Sequence, residues 1–208
     1  MRLESIHCRE LHEATTPWMG PLTPQLGTNE SYTLNFGGNP GRPPMLYVPV
    51  PLSRVRYAIR AIRSGAIVPT TTDGGEPPSR ARLTHVGEAH ATISMGPELG
   101  GLGPDPTAAL RRSGLFDETG RGVRVEVRHT GQYKWLRASF YKDEADPAGP
   151  MLVAEVVQIP QLRAIRETLG MTSLPQIPGI AHYIPHVTVG YLPKLNLIHQ
   201  SYLAQRRP

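Results

Sequence analysis

Cysteine is all but absent from this chain. A single thiol, Cys8, in 208 residues excludes a disulfide framework and any zinc site built from cysteine pairs. Long apolar runs are missing as well: none approaches the roughly 20 residues that a membrane span requires. The opening stretch, Met1-Arg-Leu-Glu-Ser-Ile-His-Cys8, has no apolar core of the secretory kind. Charged residues are sparse at 19% and aromatic ones sparser at 6%, which fits neither a disordered acidic chain nor a coiled coil. These absences lead to the expectation of a soluble protein of a reducing compartment, the cytoplasm or a eukaryotic nucleus, with no membrane partner.

What is abundant is glycine (21) and proline (22), about one residue in five, so long loops are expected between short elements. Lys and Arg number 22 against 17 Asp and Glu, a formal charge of +5. That surplus leans toward anionic partners such as RNA, nucleotides or phosphate esters. The length suits one compact domain or two small lobes sharing a core.

Residues 1–44 carry six prolines from Pro17 to Pro44 and no clear period, and read as an N-terminal extension. From Met45 a pattern starts and then repeats. Met45–Val50 has strand composition, and Leu52, Val55, Ile59 and Ile62 recur at helical spacing up to a stop at Gly65. A loop over 66–88 leads to a second strand, Ala89–Met95. Asp105-Pro106 starts a further short helix ending before Gly114. Gly122–Arg128 alternates with Val123, Val125 and Val127 inward, and a turn at Thr130-Gly131 predicts a hairpin with Tyr133–Tyr141. Met151–Val157 then repeats the strand. Pro160 opens a helix with Leu162, Ile165 and Leu169 inward, and His186–Leu192 ends the unit as a strand. Each half thus runs strand, helix, loop and a strand beginning His-x-Thr. The expected fold is α+β and two-lobed, with lobes at 45–120 and 150–195, the hairpin at 122–141 and a tail at 196–208.

The two strands His90-Ala-Thr-Ile93 and His186-Val-Thr-Val189 hold the chemistry. Residues i and i+2 share a strand face, so His90 stands beside Thr92 and His186 beside Thr188, with the apolar partners turned to the core. Two imidazoles and two hydroxyls converging on a cleft suit cleavage of a phosphodiester without metal. One imidazole takes a proton, the other gives one, and the hydroxyls hold phosphate oxygens. With 8 His and 26 Ser plus Thr, chance yields about one His-x-Ser/Thr, whereas three occur. The third, His199-Gln-Ser201, lacks strand alternation.

Paired His-x-Thr-apolar motifs, preceded by the strand and helix from Met45, resemble the 2H phosphoesterase superfamily over roughly residues 45–195. The resemblance implies a two-lobed fold of duplicated antiparallel sheets, with helices outside and a central cleft. It also implies His90 and His186 as the acid–base pair, Thr92 and Thr188 as phosphate contacts, no metal and no cofactor. The expected substrates are RNA-derived 2′,3′-cyclic phosphates at RNA ends, or related nucleotide phosphodiesters. Alternatives are hydrolysis of cyclic di- or trinucleotide signals, as in phage anti-CBASS enzymes, and a non-catalytic RNA-binding module.

Three further residues are candidate substrate contacts. Trp135 and Arg137 share a strand face with Tyr133, where a ring stacks on a base and a guanidinium meets a phosphate; an amphipathic outer sheet face is the plainer alternative. Tyr183, three residues before His186, sits where a loop would cover a base, or simply packs that loop. His182 lies four residues before His186, but Pro185 argues against the helix that a metal pair at that spacing needs.

Overall fold

The computed structural model describes residues 27–37, 44–71, 79–80, 83–137, 151–175 and 183–192. The tail at 196–208, His182, His199 and the stretch 138–150 lie outside the described residues.

The architecture is α+β: one curled, mostly antiparallel sheet with helices packed on its apolar face. The strands are β1 (Asn29–Thr33), β2 (Asn35–Gly37), β3 (Met45–Val50), β4 (Thr70–Thr71), β5 (Thr84–His85), β6 (Ala89–Ser94), β7 (Arg124–Arg137), β8 (Met151–Gln158) and β9 (His186–Tyr191). The helices are α1 (Leu52–Ser64), α2 (Gly96–Leu99), α3 (Pro106–Arg112) and α4 (Leu162–Thr168). The sheet order is β1-β7-β8-β9-β6-β3-β2, with β4 beside β7 and β5 beside β9.

β3 pairs with β6 and β8 with β9, and the halves join where β6 meets β9, so the expected duplicated sheets form a single one. Strand alternation explains the layering. Leu46, Val48 and Val50 on β3, Ala91 and Ile93 on β6, and Val187 and Val189 on β9 are buried. α1 lays Val55, Ala58, Ile59 and Ile62 over this face, and α4 adds Leu162 and Ile165. α1 ends at Gly65, whose φ of 83° is the left-handed conformation that its stop requires. Asp105 Oδ1 accepts from the Ala108 amide and caps α3.

Three sequence expectations change. First, the segment read as an extension contains β1 and β2, and Leu34 between them is fully buried. These two strands lie one residue apart in the chain yet at opposite ends of the sheet order, so the curl nearly closes on itself. Short, polar β1 carries too few apolar residues to announce itself. It is fastened by Arg54 Nη1, which donates to Glu30 Oε1 at 2.8 Å, and by contacts of Tyr32 with Glu30 and His129. His129 and Glu155, 2.9 Å apart, are both buried beneath it.

Second, there is no hairpin at Thr130-Gly131: β7 runs straight through from Arg124 to Arg137. Between the pairs His129↔Val157 and Tyr133↔Glu155, β7 holds two residues more than β8, so the glycine's positive φ serves a bulge. The Thr130 hydroxyl donates to Val156 O and accepts from the Gln132 amide, replacing ladder bonds that the bulge interrupts.

Third, a bulge of two residues preserves the alternation, so Tyr133 and Trp135 share the core face with Val125, Val127 and His129. Val123, expected inward, is instead exposed.

Candidate active site

The two His-x-Thr strands meet at one registered pair, Ala91↔Val187. Carried one residue either way, that antiparallel register sets Thr92 across from His186 and His90 across from Thr188. All four are half-buried and alternate with the fully or nearly fully buried Ala91, Ile93, Val187 and Val189, so they occupy the face away from the helices. The quartet is related by a local pseudo-twofold axis passing between Ala91 and Val187.

The strands are irregular at equivalent places. On β6, Leu46 pairs with Ser94 and Tyr47 with Thr92, leaving Ile93 as the extra residue. On β9, Val153 pairs with Gly190 and Ala154 with Thr188, leaving Val189 as the extra residue. Each motif is therefore followed at its apolar fourth position by a bulge, a device that re-aims neighbouring side chains. The bulged carbonyls find different donors. Val189 O accepts from the Val86 amide at 3.2 Å, and Ile93 O accepts from Arg166 Nη1 at 2.7 Å. Gly190 follows directly: a Cβ there would lie 2.5 Å from Ile59 Cδ1 and 2.6 Å from Thr84 O, so only glycine lets α1 and β5 approach.

The histidines differ in surroundings. His186 Nδ1–H donates to Ile184 O at 2.7 Å, which leaves Nε2 as the nitrogen able to take a proton. Burial pulls its pKa below the ordinary histidine value, against a smaller upward effect of that hydrogen bond. His90 packs edge-on against Tyr47, with ring centroids 5.3 Å apart. Tyr47 went unrecognised in the sequence, although its position in β3, between buried Leu46 and Val48, puts it on the same face as Thr92, its cross-strand partner. Across from Thr188 and His186 on β8 stand apolar neighbours, the fully buried Ala154 and the half-buried Val156.

The proposed substrate contacts fare differently. Trp135 is fully buried on the core face opposite Val153, so its ring is not available to a base. The Arg137 side chain lies outside the described residues. Tyr183 is buried: its hydroxyl donates to Thr92 O at 2.9 Å and its ring lies 5.9 Å from that of His186. Burial raises its pKa, so the hydroxyl stays protonated as a donor.

Among the described residues no group of three or more His, Cys, Asp or Glu is placed to hold a metal ion, and no helix is long and apolar enough to cross a membrane. Comparison with family models, curated proteins and solved structures finds no match to this chain.

Proposed function

We propose that this protein is a phosphodiesterase of the 2H type, in which His90 and His186 act as the acid–base pair and Thr92 and Thr188 bind phosphate oxygens. One observation carries the reading: the Ala91↔Val187 register sets both motifs side by side on one half-buried face. The two histidines stand on a diagonal of that pair, where neighbours are commonly about 7–8 Å apart and their Cβ atoms somewhat closer. A tetrahedral phosphate fits between imidazoles held at that spacing. The two lobes of such a fold correspond to the β3–α1–β6 and β8–α4–β9 units, related across the β6/β9 seam.

The environment of His186 supports one division of roles, which leaves the acid to His90. His186, kept neutral by burial and presenting Nε2, accepts a proton from the attacking water or hydroxyl. His90, in its charged form, returns one to the leaving ribose oxygen. The threonine hydroxyls donate to non-bridging oxygens whose charge grows in the transition state. No side chain of the described residues is needed beyond these four to move both protons. The substrates that fit are nucleotide phosphodiesters, with RNA-derived 2′,3′-cyclic phosphates first among them.

The test is a chromatographic assay, in excess EDTA, of 2′,3′-cyclic mononucleotides, RNA oligonucleotides with cyclic phosphate ends and a panel of cyclic di- and trinucleotides. Turnover of one class is expected, falling about 10²–10⁴-fold in His90→Ala and in His186→Ala with circular dichroism unchanged. Binding of RNA without turnover of any class would leave a non-catalytic module, and wild-type rates in either variant would remove that histidine from the mechanism.

A further inference from the structure

Only one registered pair joins β6 to β9, so the seam that sets the distance between the two motifs has little ladder of its own. Two side chains from the C-terminal half reach across it. Tyr183 donates its hydroxyl to Thr92 O at 2.9 Å, and Arg166 Nη1 donates to the next carbonyl, Ile93 O, at 2.7 Å. Ile93 is the bulged residue of β6, whose carbonyl is displaced from the regular ladder. Arg166 is itself fully buried and held by Glu98 of α2 and by the carbonyls of Thr172 and Leu174. Tyr183 touches both motifs at once, since its ring lies against His186 while its hydroxyl holds the strand that carries Thr92.

We infer that Tyr183 and Arg166 are positioning residues: they hold the consecutive carbonyls of Thr92 and Ile93 and so fix the N-terminal His-Thr pair against the C-terminal one. The assignment rests on the phosphodiesterase reading for its kinetic consequence but on these contacts for its geometry. It replaces a base-covering role for Tyr183, because a buried tyrosine with its hydroxyl engaged offers no open ring face. The hydroxyl is what the strut requires, whereas stacking would require only the ring.

Tyr183→Phe separates these roles, because it keeps the ring and removes the hydroxyl. The expected result is a kcat lowered roughly tenfold, the scale of one lost hydrogen bond felt at the reacting groups, with KM within about twofold. Wild-type kcat, or a raised KM with kcat unchanged, would overturn the assignment. A second measurement needs no substrate: 15N imidazole spectra of the full chain across pH, wild type against Tyr183→Phe. The signals of His186 and His90 are expected to shift while those of His129 stay in place. If the wild type turns over nothing in the substrate panel, the functional reading fails by itself, and the spectra alone decide the strut; unchanged His186 and His90 signals would sink it.

Discussion

At the scale of single residues, two histidines of like sequence context are made unlike by their neighbours. His186 gives its Nδ1 proton to Ile184 O and loses solvent, and both its tautomer and its lowered pKa follow from those two facts. A base with a depressed pKa stays competent to lower pH than a free imidazole. The acidic limb of kcat/KM against pH is therefore expected to have its midpoint below about 6.5, the reference for histidine. Replacing Ile184 with proline leaves the carbonyl in place and is uninformative, so the profile of the wild-type protein is the measurement to make. A limb centred above 7 would contradict His186 as the base. The same direction bears on stability. A histidine whose folded pKa is lowered takes up its proton more readily in the unfolded chain, so stability declines as pH falls from the unfolded value down through the folded one.

At the scale of elements, the parts legible in the sequence are those where one period dominates. Ala89–Ser94 and His186–Tyr191 alternate cleanly, Met45–Val50 has plain strand composition, and α1 carries its apolar stripe up to a glycine stop, so strand, helix and the shared face of each His-x-Thr motif follow from composition and spacing. The bulges do not. Gly131 has the positive φ that either a turn or a bulge demands, and only the pairing of β7 with β8 decides between them. That ambiguity hid the true face of Trp135. Arg166 was hidden by its charge, though it stands one turn after Leu162 on the inward side of α4. Gly190 shows how closely these elements fit. Gly190→Ala drives a methyl into Ile59 and the Thr84 carbonyl, one of them backbone, and is expected to cost about 1–3 kcal/mol in denaturant unfolding. Gly87→Ala, where an added Cβ meets nothing within 4 Å, serves as the control. Equal stability of the two variants would mean that β9 and α1 are not in close contact.

At the scale of the whole molecule, the segment without a visible period has the largest architectural role. β1 caps the sheet at β7 and β2 caps it at β3, with the buried Leu34 as the only residue between them. The two His-x-Thr strands lie near the middle of the strand order, and the two flanks are brought together by the nine residues 29–37. A chain cut at Met45, the boundary that composition suggests, would lose both caps at once. It would also strip Glu30 and Tyr32 from Arg54 and His129, leaving the buried His129 and Glu155 and the half-buried Arg54 facing water. Residues 45–208 expressed alone are therefore expected to scatter light and elute in the void volume, whereas a chain starting at Gln25 stays monodisperse. A well-behaved 45–208 fragment would show that the caps are dispensable. The near-closure has a further meaning for how this molecule lives among copies of itself. A sheet that ends in two bare margins invites other chains to extend it into fibres. Here the two margins are the short strands β1 and β2, five and three residues long, and edges so short offer another chain little ladder on which to build.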